Sequence, residues 1–215
     1  MKGNKGNFLP KNTLNRPESM TILIRMFEGQ SSNENKDPRR SEYYLKGKAL
    51  GLTSLANSGF EQSISRYEIA LYIYRFQTIL NDSTLKLKSQ QILENLNTST
   101  NTGSINSGTI DEASELAKKF SAIANSISVE NDPELLEAIR WMNDNGLTNF
   151  STIATYKPFE VLLREQSAKI FDVFARTFSF SQDKLTSALP STCTFTDLKN
   201  TDSSLITNIQ NVCKM

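Results

Sequence analysis

Apolar positions return every three or four residues in several separate stretches of this chain, the signature of amphipathic helices. The clearest runs from Asp132, a plausible N-cap, through Pro133 at the first helical position, where its missing N–H costs nothing. Leu135, Leu136, Ile139 and Met142 then share one face, and Asn145-Gly146 supplies a left-handed stop. A loop through Tyr156 and Pro158 leads to a second helix near Arg164, with Ala168, Phe171 and Phe174 as its core stripe. The spacing predicts a helix, a loop and a helix.

Parts of this unit recur. FLPKNTLNRPESMTILIRMF, from Phe8, aligns without a gap on YKPFEVLLREQSAKIFDVFA, so that Phe8, Pro10 and Arg16 match Tyr156, Pro158 and Arg164. A third copy, from Ser41, repeats Gly-Leu-Thr at Gly51 and reaches Arg66 after a shorter loop. Four, seven and ten residues beyond the arginines stand Met20, Leu23 and Met26, then Ala70, Ile73 and Phe76, then Ala168, Phe171 and Phe174. Arg16 and Arg66 are 50 residues apart and Arg66 and Arg164 are 98, close to one period and two. Repetition of this kind decides architecture before any single motif is weighed.

Between the copies the pattern is weaker. Residues 29–40 are a polar, breaker-rich connection. A short helix is expected from about Thr84 to Asn97, carrying Leu87, Ile92, Leu93 and Leu96, and NTSTNTGSINSGT after it reads as a flexible linker. Asp111 would cap an inserted helix with Leu116, Phe120, Ile123 and Ile127 on one face, which accounts for the doubled interval. SFSQDKLTSALPST reads as a loop, or as a short helix broken at Pro190.

Composition narrows the chemistry. Twenty-four Lys and Arg against 23 Asp and Glu leave a net charge of +1, which argues against nucleic acid or an anionic bilayer as the main partner. Nothing approaches the ~18 consecutive apolar residues of a membrane span, and the first thirty residues lack a signal peptide's apolar run. There is no His, which removes the commonest general base and metal ligand together with every Ser-His-Asp or Cys-His arrangement. No phosphate-binding loop, dinucleotide fingerprint or metal spacing is present, no pair of acids stands out, and neither an enzyme nor a cofactor is expected. Trp141 suits a core or inter-copy contact better than a sugar platform.

Cys193 and Cys213 are the only cysteines. They could be two unrelated buried thiols. A helix returning past its own entry segment would instead bring them within the ~4.4–6.8 Å Cα range of a disulfide, and that is the preferred reading, with an oxidising location as its consequence.

The copies resemble S-layer homology repeats, whose pattern is an aromatic-x-Asp opening, a helix ending in Gly-Ile or Gly-Leu, an aromatic-x-Pro loop and Thr-Arg-Ala-Glu starting the next helix. The tetrapeptide is represented by Asn15-Arg16-Pro17-Glu18, Ser65-Arg66-Tyr67-Glu68 and Leu163-Arg164-Glu165-Gln166, and the opening by Phe195 and Asp197. Only the arginine is kept throughout; the third copy has lost both hydroxyl and acid. The resemblance divides the chain into 1–28, the back half of a repeat; 41–81, a second repeat; 82–131, linker plus inserted helix; 132–178, a third repeat; and 191–215, a front half. It implies a mainly α fold of helix-loop-helix repeats in a pseudo-three-fold bundle. The helix from Asp202 could pack against the helix beginning near Asn15 and complete one unit across the termini. Otherwise the chain is cut from a longer array, the reading preferred here because both cuts fall beside an expected Gly.

Asn15-x-x-Glu18 and Ser65-x-x-Glu68 also read as capping boxes, which explains the cap and the acid without any ligand. They do not explain Arg16, Arg66 and Arg164, because a cation at a helix N-terminus opposes the macrodipole. Each arginine needs an acceptor, either an internal acid such as Glu18, Glu68 or a neighbouring copy's carboxylate, or a bound anion. The resemblance implies the anion: in S-layer homology domains this arginine lines inter-repeat grooves that hold an anionic cell-wall glycan, which makes Arg16, Glu18, Arg66, Glu68 and Arg164 the expected binding residues. The expected function is cell-surface anchoring through that glycan. The alternative is a structural surface-layer or adhesion module acting through protein partners or self-assembly; the degenerate third tetrapeptide and the inserted helix favour it.

Overall fold

A computed structural model describes residues 1, 5–29, 41–53, 61–102, 131–180 and 182–215. Among these the chain is mainly helical, as the periodicity predicts: α1 (Arg16–Glu28), α2 (Ser41–Ala49), α3 (Arg66–Asn81), α4 (Ser83–Thr102), α5 (Pro133–Asp144), α6 (Ile153–Tyr156), α7 (Arg164–Thr177), α8 (Gln182–Thr186) and α9 (Ser203–Lys214). Tight 3-10 turns lie at Ser191–Cys193 and Leu198–Asn200. The expected helix over 111–127 and most of the 29–40 connection lie outside the described residues.

The start and stop signals work as chemistry requires. Asn15 Oδ1 accepts from Glu18 N and Ser65 Oγ from Glu68 N, while each glutamate returns the bond to its cap's backbone N–H. Asp132 caps α5 by accepting from Glu134 N and Leu135 N. α2 and α5 then end alike: Gly51 and Gly146 adopt φ of +72° and +75°, and the next residue reaches back five positions, Leu52 N to Gly47 O at 2.9 Å and Leu147 N to Met142 O at 2.8 Å. Such a left-handed turn suits Gly, which has no Cβ to clash.

Each arginine helix packs chiefly against one partner: α1 on α2, α3 on α5, and α7 on α9. α1 and α2 approach closely at Gly47, where an added Cβ would lie 2.0 Å from Met20 Sδ. The stripe residues Met20, Leu23, Ala70, Ile73, Phe76, Ala168, Phe171 and Phe174 are all fully buried. Met26 is only partly covered, and Ile24 takes the buried place on α1. Phe76 meets Phe174 with ring centroids 5.9 Å apart, so equivalent positions of two copies touch in the core. Trp141 joins them against Phe174 and Phe178 as a packing residue.

Two segments differ from expectation. α4 runs Ser83–Thr102, so the first part of the Ser/Thr/Asn tract continues a helix that packs on α3 and α2. Ile92 and Leu93 are its buried apolar residues, whereas Leu87 is exposed. α9 does not pair with α1 to complete a unit across the termini. It packs on α7, where Asn208 and Asn211 donate to the buried Asp172 carboxylate. The two terminal regions nevertheless meet through loops: Asp197 accepts from Phe8 N and Leu9 N at 2.8 and 2.7 Å, and Phe195 packs on Phe8.

Cys193 and Cys213 stand at disulfide distance, with Cα atoms 5.7 Å apart. The closed loop spans a sequence separation of 20. A Cys193→Ser, Cys213→Ser double variant should lose about 3 kcal/mol of stability on the chain-entropy model, read as a lower urea midpoint. An unchanged midpoint would mean that the bond is not formed in solution.

A buried ion pair that no sequence motif announced ties α3 to α5. Arg75 grips Glu134 with two parallel bonds of 2.7 and 2.8 Å and also donates to Gly51 O and Leu52 O at the end of α2. Removing one partner strands a buried charge, whereas an apolar pair of similar volume can be nearly neutral. Arg75→Ala should therefore cost about 3–5 kcal/mol by denaturant unfolding, and Arg75→Met with Glu134→Leu should recover much of that loss.

Candidate functional site

The extended residues just ahead of α1, α3 and α7 come from three distant parts of the chain and bridge one another in a closed cycle. Asn15 pairs with Ser63, Ser65 with Val161, and Thr13 with Leu163. Arg16 N donates to Gln62 O (3.3 Å), Arg66 N to Glu160 O (2.9 Å), and Arg164 N to Asn12 O (2.8 Å). Each acceptor lies four residues before the next arginine in the cycle. Tyr67 N to Pro158 O and Glu165 N to Pro10 O share a second register, and Ile64 N to Leu14 O and Leu162 N to Ile64 O a third. The aromatic-x-Pro loops supply two of these acceptors through matching bends: Leu9 and Lys157, their middle residues, have φ of +57° and +54°.

The arginine side chains follow the same rotation, each reaching into the next copy. Their surroundings differ. Arg16 Nε donates to Glu68 Oε1, with both side chains nearly buried at 14% and 10% exposure, and Nη1 reaches Gln62. Glu68 therefore serves two masters, since its other oxygen accepts from Ser65 N and Oγ. Burial lowers the Arg16 pKa, but the Glu68 hydrogen bond and charge outweigh it, and the net shift is upward.

Arg164 sits over the Phe8 ring at 5.1 Å and its Nε donates to Phe8 O at 3.0 Å. Burial pulls its pKa down, offset only in part by the charges of Glu18 and Asp197. Glu18 closes the α1 capping box and acts on Arg164 through its field. Arg66 lies over Phe150 at 5.5 Å and its Nη1 donates to Tyr156 O at 3.1 Å, while the Tyr156 hydroxyl donates to Arg66 O.

Equivalence with Glu68 would put a capping-box acid opposite Arg66, but the third copy has Gln166 there, which only accepts from Leu163 N at 3.2 Å. The carboxylate near Arg66 is instead Glu160, 3.2 Å from Nη1 and 48% exposed. Its second oxygen accepts from Lys157 Nζ at 3.0 Å. Phe150, Phe159 and Val161 are exposed hydrophobic residues on the same stretch of chain, Phe159 at 74%. Glu160, Lys157 and Phe150 are parts of this arrangement that the repeat pattern could not indicate, because they fall at positions the motif leaves free.

The five expected binding residues are thus brought to one ring. They are shared among three unlike settings: the Arg66 side chain is as covered as that of Arg16, at 13% and 14% exposure, but the carboxylate that faces it is half-exposed where the one facing Arg16 is nearly buried. No family model, curated protein or solved structure matches the chain.

The Glu160 carboxyl is held below its ordinary value of 4.5, first by the Lys157 hydrogen bond and then by the Arg66 charge. A carboxylate depressed on folding adds stability above the unfolded value and loses it as pH falls through the folded value. Carbon-detected NMR titration should place the Glu160 midpoint below 4.5, and Lys157→Ala should raise it more than Arg66→Ala does. The two acids also separate by stability: Glu68→Ala should cost about 3 kcal/mol, because it leaves Arg16 nearly buried without its acid, whereas Glu160→Ala, which removes a half-exposed carboxylate, should lower the denaturant midpoint far less.

Proposed function

We propose that the chain is a non-catalytic cell-surface anchoring module, built of degenerate S-layer homology repeats around a pseudo-three-fold axis, that binds an anionic envelope glycan with the groove at Arg66. The observation that carries this reading is the inequality of the three arginines. Arg16 is engaged by a nearly buried acid, and Arg164 is enclosed by Phe8 and the loop that Asp197 holds. Arg66 faces a copy whose box acid is replaced by Gln166, beside the exposed Phe150 and the half-exposed Glu160.

A guanidinium donates two parallel hydrogen bonds to a carboxylate or phosphate, and an aromatic face beside it accepts the C–H side of a sugar ring. The cysteine pair at disulfide distance supports an exported, extracellular location, since such bonds persist where the surroundings are oxidising. Among the described residues no helix is long and apolar enough to cross a membrane.

A second reading, a structural surface-layer or adhesion module working through protein contacts, is favoured by the internal engagement of Arg16 and by the exposure of Phe159 and Val161. Binding to purified, protein-free envelopes from the source organism separates the two. Anchoring predicts salt-sensitive binding that Arg66→Ala weakens roughly 10- to 100-fold while circular dichroism stays unchanged. Arg164→Ala should weaken it far less. Concentration-dependent self-association indifferent to Arg66→Ala, without envelope binding, would establish the structural reading instead.

A further inference from the structure

We infer that Glu160 is an internal competitor for the anion site at Arg66, a carboxylate that occupies the guanidinium until a carboxylate or phosphate carried by a saccharide displaces it. The inference rests on the anchoring reading and specifies how that groove is regulated.

The backbone and the side chain of Glu160 have separate duties. Its carbonyl accepts from Arg66 N at 2.9 Å and belongs to the ring, while its carboxylate spans Arg66 Nη1 at 3.2 Å and Lys157 Nζ at 3.0 Å. The side chain can therefore swing into water without breaking any backbone bond of the ring. Glu160 is half-exposed, so water solvates its carboxylate once it leaves, while the more covered Arg66 keeps Tyr156 O and the Phe150 ring. Glu68 cannot do the same: its nearly buried carboxylate holds Arg16, Ser65 N and Ser65 Oγ together, and moving it would uncap α3.

What Glu160 would leave behind is a complete oxyanion site. Arg66 stays oriented by Tyr156 O and by the Phe150 ring, and Lys157, whose side chain is 63% exposed, supplies a second cation on the same loop. An incoming oxyanion with two oxygens can satisfy both cations as Glu160 does. Its sugar ring would add contact with Phe150 that a glutamate side chain does not provide. The exchange replaces one carboxylate by another acceptor, so the charge on the two cations stays balanced throughout.

The test is affinity of the full chain for protein-free envelopes, with a sodium glucuronate titration followed by NMR at the Arg66 side-chain Nε–H as a defined probe. Glu160→Gln should bind both about three- to tenfold more tightly than the wild type. The gain should vanish when Arg66→Ala is added, and Glu94→Gln, which removes an exposed acid on α4, should not reproduce it. Envelope binding by the wild type that Glu160→Gln leaves unchanged or weakens would overturn the competitor role and leave anchoring intact. A gain that survives Arg66→Ala would reduce the effect to net charge and equally overturn it. Failure of both proteins to bind either probe would remove the anion site itself, and the anchoring reading with it.

Discussion

An extended segment cannot satisfy its own backbone, and this requirement governs the whole molecule. Residues just ahead of α1, α3 and α7 have N–H and C=O groups that no helix takes up, and leaving such groups buried and unpaired is costly. They solve the problem together. Neighbouring segments exchange N–H···O=C bonds at matching offsets from the arginine, so that positions 10–16, 62–67 and 158–165 form one hydrogen-bonded unit. Once this unit exists, the starts of three helices are fixed relative to one another, and their apolar stripes have little choice but to meet where Phe76 contacts Phe174.

The arginines are consequences of that geometry. A helix beginning at the ring points its first side chain across the junction into the next copy, where a carbonyl, a carboxylate or an aromatic face must receive a cation. The chain answers the same need in three ways: a nearly buried acid for Arg16, an aromatic ring and a carbonyl for Arg164, and a solvent-exposed acid for Arg66. Uniform backbone and unlike side chains are what a repeated scaffold with one specialised junction would have. That specialisation is the basis of the proposed groove.

Much of this was legible in the sequence because it depends on local chemistry. The capping boxes at Asn15 and Ser65, the cap at Asp132 and the glycine stops at Gly51 and Gly146 are decided by a few neighbouring residues, and the stripes of α3, α5 and α7 by simple periodicity. Spacing also placed Cys193 and Cys213 at opposite ends of one short unit. What remained hidden depends on tertiary contact. Asn97–Thr102 have poor intrinsic helix propensity, yet they extend a helix already started and packed upstream. Nothing local could say that α9 would choose α7 over α1, since the choice is made by Asp172 and its two asparagine donors. Likewise Arg75 and Glu134 look like ordinary surface residues until α3 crosses α5. The left-handed bends at Leu9 and Lys157 belong to residues with no preference for that conformation, and the ring imposes them.

The most direct test of this account is amide hydrogen exchange, residue by residue, at Arg16, Ile64, Arg66, Leu162 and Arg164, five of the ring amides that donate across copies. If the ring is the cooperative unit on which the fold depends, all five should exchange slowly, with a common opening free energy near that of global unfolding and a common response to low denaturant. Fast exchange at these amides, or opening of one junction independently of the others while the helices stay protected, would contradict it and make the ring a surface detail of helices held together by other means.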